Sequence, residues 1–373
     1  MANTAIVRHD FPLRLYGALS KDKQDSSLVL SPFSIQVALA LCAAGARGDT
    51  RRVLVELIGA PPDVGEQNRQ YAALLEALQE AGVPGVQLET ANAIWVRQGD
   101  RLRPEFAEAA ASFYDSACSE LDFAEVPAQA VQSINAWVES KTAGKIKDLV
   151  NLQLITTATR LVLTSAIYFK GRWASEFDKS HTWDEEWHGA EGTRKVAMMH
   201  RSGAYPYYEC AEFQAIDLPY RGEQLSLLVV LPRQKDGLAA LERLWNAAAY
   251  QQVTASLAAK AVILGLPSFK VETSLLLRST LCTLGAALAF SDRADFTGIA
   301  AQGLKISEVV HKAFIEVSEE GTEAAAATAV LGKSAGVARE SVTFQADHPF
   351  LFILRERDTS AILFSGRVLQ PEQ

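Results

Sequence analysis

Near residue 159 the chain changes its hydrophobic rhythm, and nothing in the composition marks a domain boundary there. Before that point the apolar residues recur at helical spacing. Phe11, Leu15 and Leu19 fall four apart. Ser31-Pro32 reads as an N-cap followed by proline at the first helical position, opening an apolar helix through Leu41 that ends within residues 45–49. Residues 66–81 and 128–140 repeat the pattern, the second through Val131, Ile134, Trp137 and Val138, and only 86–96 reads as a strand. After it come short runs rich in β-branched and aromatic residues at 161–169, 214–218, 225–231, 261–266, 313–317, 350–354 and 361–368, interrupted by one helical stretch at 237–258. There is no Gly/Ser-rich linker and no internal repeat. A helix-rich half feeding a strand-rich half predicts one α+β domain over 1–373 with large, mostly antiparallel sheets.

With 49% apolar and 21% charged residues, the chain can bury a large core. Its net charge of −8 argues against nucleic acid and anionic membrane as partners. No apolar run approaches the ~20 residues that span a bilayer. The first residues, MANTAIVRHDF, have neither the basic start nor the apolar core of a signal peptide. A cytoplasmic location is the default expectation, and a secreted one if a leader has been removed. Cys42, Cys118, Cys210 and Cys282 lie far apart without a CxxC spacing, so reduced, largely buried thiols are expected. His181 and His188 are seven apart in a polar stretch, which is no metal-ligand spacing, and no metal or cofactor is predicted.

Residues 319–343, EEGTEAAAATAVLGKSAGVARESVT, contain almost nothing large and apolar, yet they join two strand-like runs. A connection of this length within a compact domain is usually functional. It holds two catalytic look-alikes. Gly332-Lys333-Ser334-Ala335-Gly336 fits the G-x-S-x-G nucleophile elbow, but that turn needs a strong strand before it and a helix after it. Here Ala and Thr precede it, and 337–344 reads as extended. The one downstream histidine, His348, adjoins Asp347, and neighbours on an extended chain point to opposite sides. Gly332-Lys333-Ser334 also ends like a phosphate-binding loop, but Ala327 stands where the first glycine belongs. Both readings fail.

The segments LVLSPFSIQVALALCAAGARGDT (28–50), GKIKDLV (144–150), SAIYFKGRW (165–173), VAMMHRSG (196–203), DLPYRGEQLSLLVVLP (217–232), ADFTGI (294–299), VVHKAFIEVSEEGTEAAAAT (309–328), ADHPFLF (346–352) and FSGR (364–367) occur in this order. Through them the chain resembles the serpins, including intracellular ovalbumin-like and prokaryotic ones, over essentially its whole length. The resemblance implies about nine helices around three mostly antiparallel sheets, a hinge and exposed reactive-centre loop at 319–340, and a metastable native state. It implies a suicide inhibitor of serine proteases and not an enzyme. The target's serine forms an acyl-enzyme with the loop, and the cut loop then joins the main sheet as a strand, a known instance of strand addition.

Alternation along a strand supports an inhibitory hinge over Glu319, Glu320, Gly321, Thr322, Glu323, Ala324, Ala325, Ala326, Ala327 and Thr328. If Thr322 faces inward after insertion, so do Ala324, Ala326, Thr328, Val330 and Gly332, all small or β-branched and none charged. Glu323 and Lys333 fall on the outward face. The alternative is a non-inhibitory carrier, chaperone or storage serpin, which bulky or charged inward residues would favour. Taking Glu319 as the family's seventeenth residue before the cut puts the scissile bond between Ala335 and Gly336, a small bait suited to elastase-like or subtilisin-like proteases. A cut between Lys333 and Ser334 would suit a trypsin-like one. The resemblance also assigns a "shutter" to Ser31, Ser34, Ser165 and His311, with Ser165 where the family usually has asparagine, so that network is not expected to be intact. Trp173 falls beneath the point where the loop enters the sheet. Residues 66–81 hold Arg69 as their one basic residue, so no heparin binding is expected; the partner is a covalently bound protease and the inhibitor a monomer.

Overall fold

The computed structural model describes residues 9–80, 85–301, 303–322 and 341–372. Six helices fill the first part: α1 (Asp10–Asp22), α2 (Pro32–Gly45), α3 (Gly48–Ile58), α4 (Val64–Glu80), α5 (Pro104–Tyr114) and α6 (Pro127–Lys141). Ser31 caps α2 as expected, its Oγ accepting from the Ser34 N–H at 3.1 Å, and α2 is buried on nearly every side. The sequence reading missed α3, which starts two residues after α2 and ends at Gly59 in the left-handed region, φ 67°. It also missed α5, opened by Pro104. The expected single helix at 237–258 is two, α7 (Leu238–Leu244) and α8 (Ala247–Ser256). Asn246 divides them by capping α8, accepting from the Ala249 N–H at 3.1 Å. A short α9 (Arg278–Leu281) brings the helices to nine among the described residues.

The strands are β1 (Leu28–Leu30), β2 (Val86–Arg97), β3 (Ala117–Leu121), β4 (Leu161–Arg172), β5 (Thr182–Gly189), β6 (Gly192–Glu209), β7 (Phe213–Pro219), β8 (Leu225–Pro232), β9 (Ala258–Pro267), β10 (Phe269–Leu276), β11 (Glu308–Ser318), β12 (Gly321–Thr322), β13 (Val342–Gln345), β14 (Phe350–Glu356) and β15 (Ile362–Val368). One sheet has the order β10-β11-β12-β4-β2-β3. The other strands form one continuous hydrogen-bonded network, β1-β15-β14-β8-β7-β6-β9-β13, with β5 on β6. The 18-residue β6 joins its two parts: its start pairs with β5 and its middle with β9, and only its last three residues pair with β7. Two of the three expected sheets are thus continuous through one strand.

The centre of the six-stranded sheet is buried on both faces, whereas edge strand β10 alternates buried and exposed residues. Leu161, Leu163, Ile167 and Phe169 of β4 face the main core with α2, whereas Val162 and Ala166 lie under α6 with Ala91, Ala93 and Val310. This two-sided burial explains why β4 is apolar on both faces rather than alternating, with Thr164 and Ser165 as its buried polar residues. All four cysteines are free thiols. Only Cys42 is fully buried, so the expectation of largely buried thiols holds for one of them, although half-buried Cys118 is also pushed up to about 12 by burial.

Candidate functional site

The candidate site is the seam between β11 and β4. Their lower parts pair directly, in parallel, from Glu308 opposite Val162 to Phe314 opposite Tyr168. At the upper end the two strands part, and β12 lies between them. Thr322 pairs with Val317 of β11 and Gly171 of β4, and Gly321 with Ser318 and Arg172. The sheet therefore already holds two residues of a strand antiparallel to both neighbours. Gly321 is needed twice over. Its φ of +145° is strained for any residue with a Cβ, and an added Cβ would lie 2.0 Å from the Gly171 carbonyl oxygen. Thr322 is fully buried, with its hydroxyl 2.7 Å from the Tyr220 hydroxyl.

Below this stub sits Trp173, 2% exposed, stacked on Tyr220 with ring centroids 4.5 Å apart. Its indole Nε1 donates to the Ser318 carbonyl at 2.9 Å, so one residue is both a core aromatic and a direct support of the turn that leads into β12. The Trp173 and Phe177 amides donate to the carbonyls of Glu320 and Glu319 at 3.1 and 2.8 Å. Glu323, Ala324, Ala325, Ala326, Ala327 and Thr328 lie outside the described residues, as do Lys333, Ser334, Ala335 and Gly336.

At the lower end Ser31, Ser34, Ser165 and His311 come together. His311 lies opposite Ser165, which lies opposite Asn92, so one row crosses β11, β4 and β2 in front of the α2 N-terminus. The Ser31 N–H donates to His311 Nε2 at 3.0 Å, which leaves the imidazole proton on Nδ1. Nδ1 faces Ser165 Oγ at 3.1 Å, and Ser165 Oγ lies 2.7 Å from Ser34 Oγ. Ser34 Oγ donates to Asn92 Oδ1 at 2.8 Å, so the Ser165 proton must point to Ser34. Ser31 Oγ, which caps α2, donates to the Leu363 carbonyl at 2.6 Å. Every group in the chain has one direction. Burial lowers the His311 pKa to about 3, so the ring is neutral at ordinary pH.

Asn92 corrects the expectation of a broken network: the asparagine missing at Ser165 is supplied by the neighbouring strand. Its signal was present, because Val86, Leu88, Ile94 and Val96 set the core-facing positions of β2, and Thr90 and Asn92 are the polar residues in that register, of which Asn92 is the fully buried one.

A profile of the family described as "Serpin (serine protease inhibitor)" matches residues 7–371. The chain is a serpin. An uncharacterized serpin-like protein of Thermococcus kodakarensis is 39% identical to it, the match covering 98% of this chain and 85% of the relative. Antichymotrypsin-2 of Bombyx mori is 38% identical over 96% of this chain and 95% of its own. The crystal structure of Serpin48 from the insect Tenebrio molitor, described as a highly specific serpin, superposes with a TM-score of 0.86 at 33% identity, covering 97% and 96% of the two chains. Members of the family generally inhibit serine proteases and are generally not catalysts. The seam of this serpin lies in its six-stranded sheet, with Glu319 to Thr322 at its upper end.

Proposed function

We propose that this serpin is inhibitory: a serine protease cuts it after Ala335, becomes acylated, and is trapped when the segment after Glu320 enters the six-stranded sheet between β11 and β4. The protease serine oxygen bonds the Ala335 carbonyl carbon, the bond to the Gly336 nitrogen breaks, and the new N-terminus departs. Insertion must then outrun hydrolysis of the ester.

One observation carries this reading: Gly321 and Thr322 already form β12, in hydrogen-bonding register with both sides of the seam. Extending β12 downward replaces one parallel ladder with two antiparallel ones. Each inserted residue can satisfy both backbone groups, at a net gain near ~1 kcal/mol per hydrogen bond. Over about a dozen residues that rivals the ~5–15 kcal/mol stability of an ordinary domain. The small, uncharged set expected to face inward after Thr322 fits a buried central strand. The buried polar row from Asn92 to His311 acts in this reading as the lock that keeps the lower seam closed until then.

Ala335 as bait suits elastase-like or subtilisin-like proteases with a shallow pocket, and the inhibitor acts as a monomer. The test is to mix the protein with an elastase-like protease. We expect an adduct that survives SDS and a released C-terminal peptide beginning at Gly336 by mass spectrometry. A peptide beginning at Ser334 would move the bait to Lys333 and the target to a trypsin-like enzyme. Complete cleavage with no adduct would overturn the inhibitory reading in favour of a carrier, chaperone or storage serpin.

A further inference from the structure

The turn that delivers the hinge into the sheet is gripped by the segment after β4. Three successive carbonyls, of Ser318, Glu319 and Glu320, accept from Trp173 Nε1, the Phe177 amide and the Trp173 amide. Two of these donors are backbone groups and would be supplied by many sequences. The Glu320 side chain is held differently. Glu320 is 8% exposed, and its Oε1 lies 2.8 Å from Lys179 Nζ. Its Oε2 is buried and has no hydrogen-bond partner among the described residues. Lys179 starts a short turn whose preceding residue, Asp178, accepts from the Ser180 amide and hydroxyl at 2.9 and 2.7 Å, and Glu319 is the other carboxylate that acts on the Lys179 charge. Half of a buried carboxylate therefore relies on one cation.

We infer that Lys179 is a positioning residue for the loop: its ion pair with Glu320 holds Gly321 and Thr322 inside the sheet before cleavage, and so sets the share of protease encounters that end in trapping. The inference rests on the inhibitory reading proposed for this serpin. A buried carboxylate deprived of its counter-charge relaxes by turning toward water. Gly321, next in the chain, swivels without steric penalty, so movement of Glu320 draws β12 out of the seam. Insertion must then form its first paired residues anew while the acyl-enzyme hydrolyses, and more inhibitor is released cut.

Two measurements on the full-length protein test this. The first, which involves no protease, is hydrogen exchange at the Gly321 and Thr322 amides. Lys179→Ala should speed it about fivefold, the scale of one surface-accessible ion pair. The second is the number of inhibitor molecules consumed per protease trapped. It should rise several-fold in Lys179→Ala, return toward the wild-type value in Lys179→Arg and in the exchanged pair Lys179→Glu with Glu320→Lys, and rise in high salt for the wild type but not for Lys179→Ala. A structural role without positioning would lower thermal stability and leave the salt response untouched. Unchanged exchange, or faster exchange with an unchanged consumption ratio, overturns the inference. A wild type that is cut without forming any adduct sinks the trapping mechanism instead, and exchange still reports whether Lys179 holds the hinge.

Discussion

The two ends of the β11–β4 seam are secured by different physics. The upper end is parted by a two-residue wedge and held largely through backbone carbonyls, one indole and one ion pair reaching across from residues 173–179. The lower end is zipped by parallel pairing and pinned by a row of buried side chains, each hydrogen bond oriented by the one before it. A wedge can slide deeper one residue at a time, because each step exchanges one set of backbone bonds for another. A directional row of hydroxyls cannot open by degrees: removing one member leaves its neighbours buried and unpaired. Under the proposed inhibitory mechanism the upper end advances, and the lower end holds and then gives way at once.

The harshest test of that contrast is at the wedge. Thr322→Arg replaces a fully buried hydroxyl that meets Tyr220 with a charge that must enter the sheet. Burying it unpaired costs on the order of 3–5 kcal/mol, against every later step of insertion. We expect the variant to be cut at the same bond as the wild type while the SDS-stable band disappears. Cleavage should raise the melting temperature of the wild type and leave that of the variant unraised. Undiminished adduct formation would show that Thr322 is not buried during trapping.

A middling effect is expected at the lower end. Asn92→Ala removes the terminal acceptor of the row and leaves the Ser34 hydroxyl without its partner, at a cost of about 1–3 kcal/mol. Intact protein should melt several degrees lower and convert more readily, without cleavage, to a loop-inserted form that no longer traps protease. Lower stability with an unchanged conversion rate would make the row a structural feature with no hold on the seam.

Much of the two ends could be read from the sequence, and for different reasons. The wedge is local: Glu319 to Thr322 are adjacent, glycine marks the swivel, and alternation sorts the residues beyond Thr322 onto two faces. Ser31-Pro32 announced α2 and its cap through chemistry within a few residues. The row is not local. Asn92, Ser165 and His311 meet only because two strand registers align residues far apart in the chain, and register is fixed by the whole sheet. Lys179 escaped notice for the same reason, since its partner lies 141 residues away. The length of β6 was hidden because its two ends serve different partners and share no single buried face.

The smallest expected effect is one of pH, and it separates the two ends cleanly because only the lower one contains a histidine with a depressed pKa. His311 is neutral, with Nε2 accepting from Ser31, and burial lowers its pKa from an ordinary 6.5 to about 3. The unfolded chain therefore binds this proton between about pH 6.5 and 3 while the folded protein does not. The stability owed to the neutral ring is complete above 6.5 and is lost as pH falls toward 3, by at most ~1.4 kcal/mol per pH unit. His311→Gln keeps an acceptor for the Ser31 amide but cannot titrate. It should be less stable than the wild type at pH 7, and the gap should narrow steadily from pH 6 to pH 4 in thermal melts. A gap of constant size across that range would mean that His311 is already charged in the folded protein, and Nε2 could then no longer accept from the Ser31 N–H.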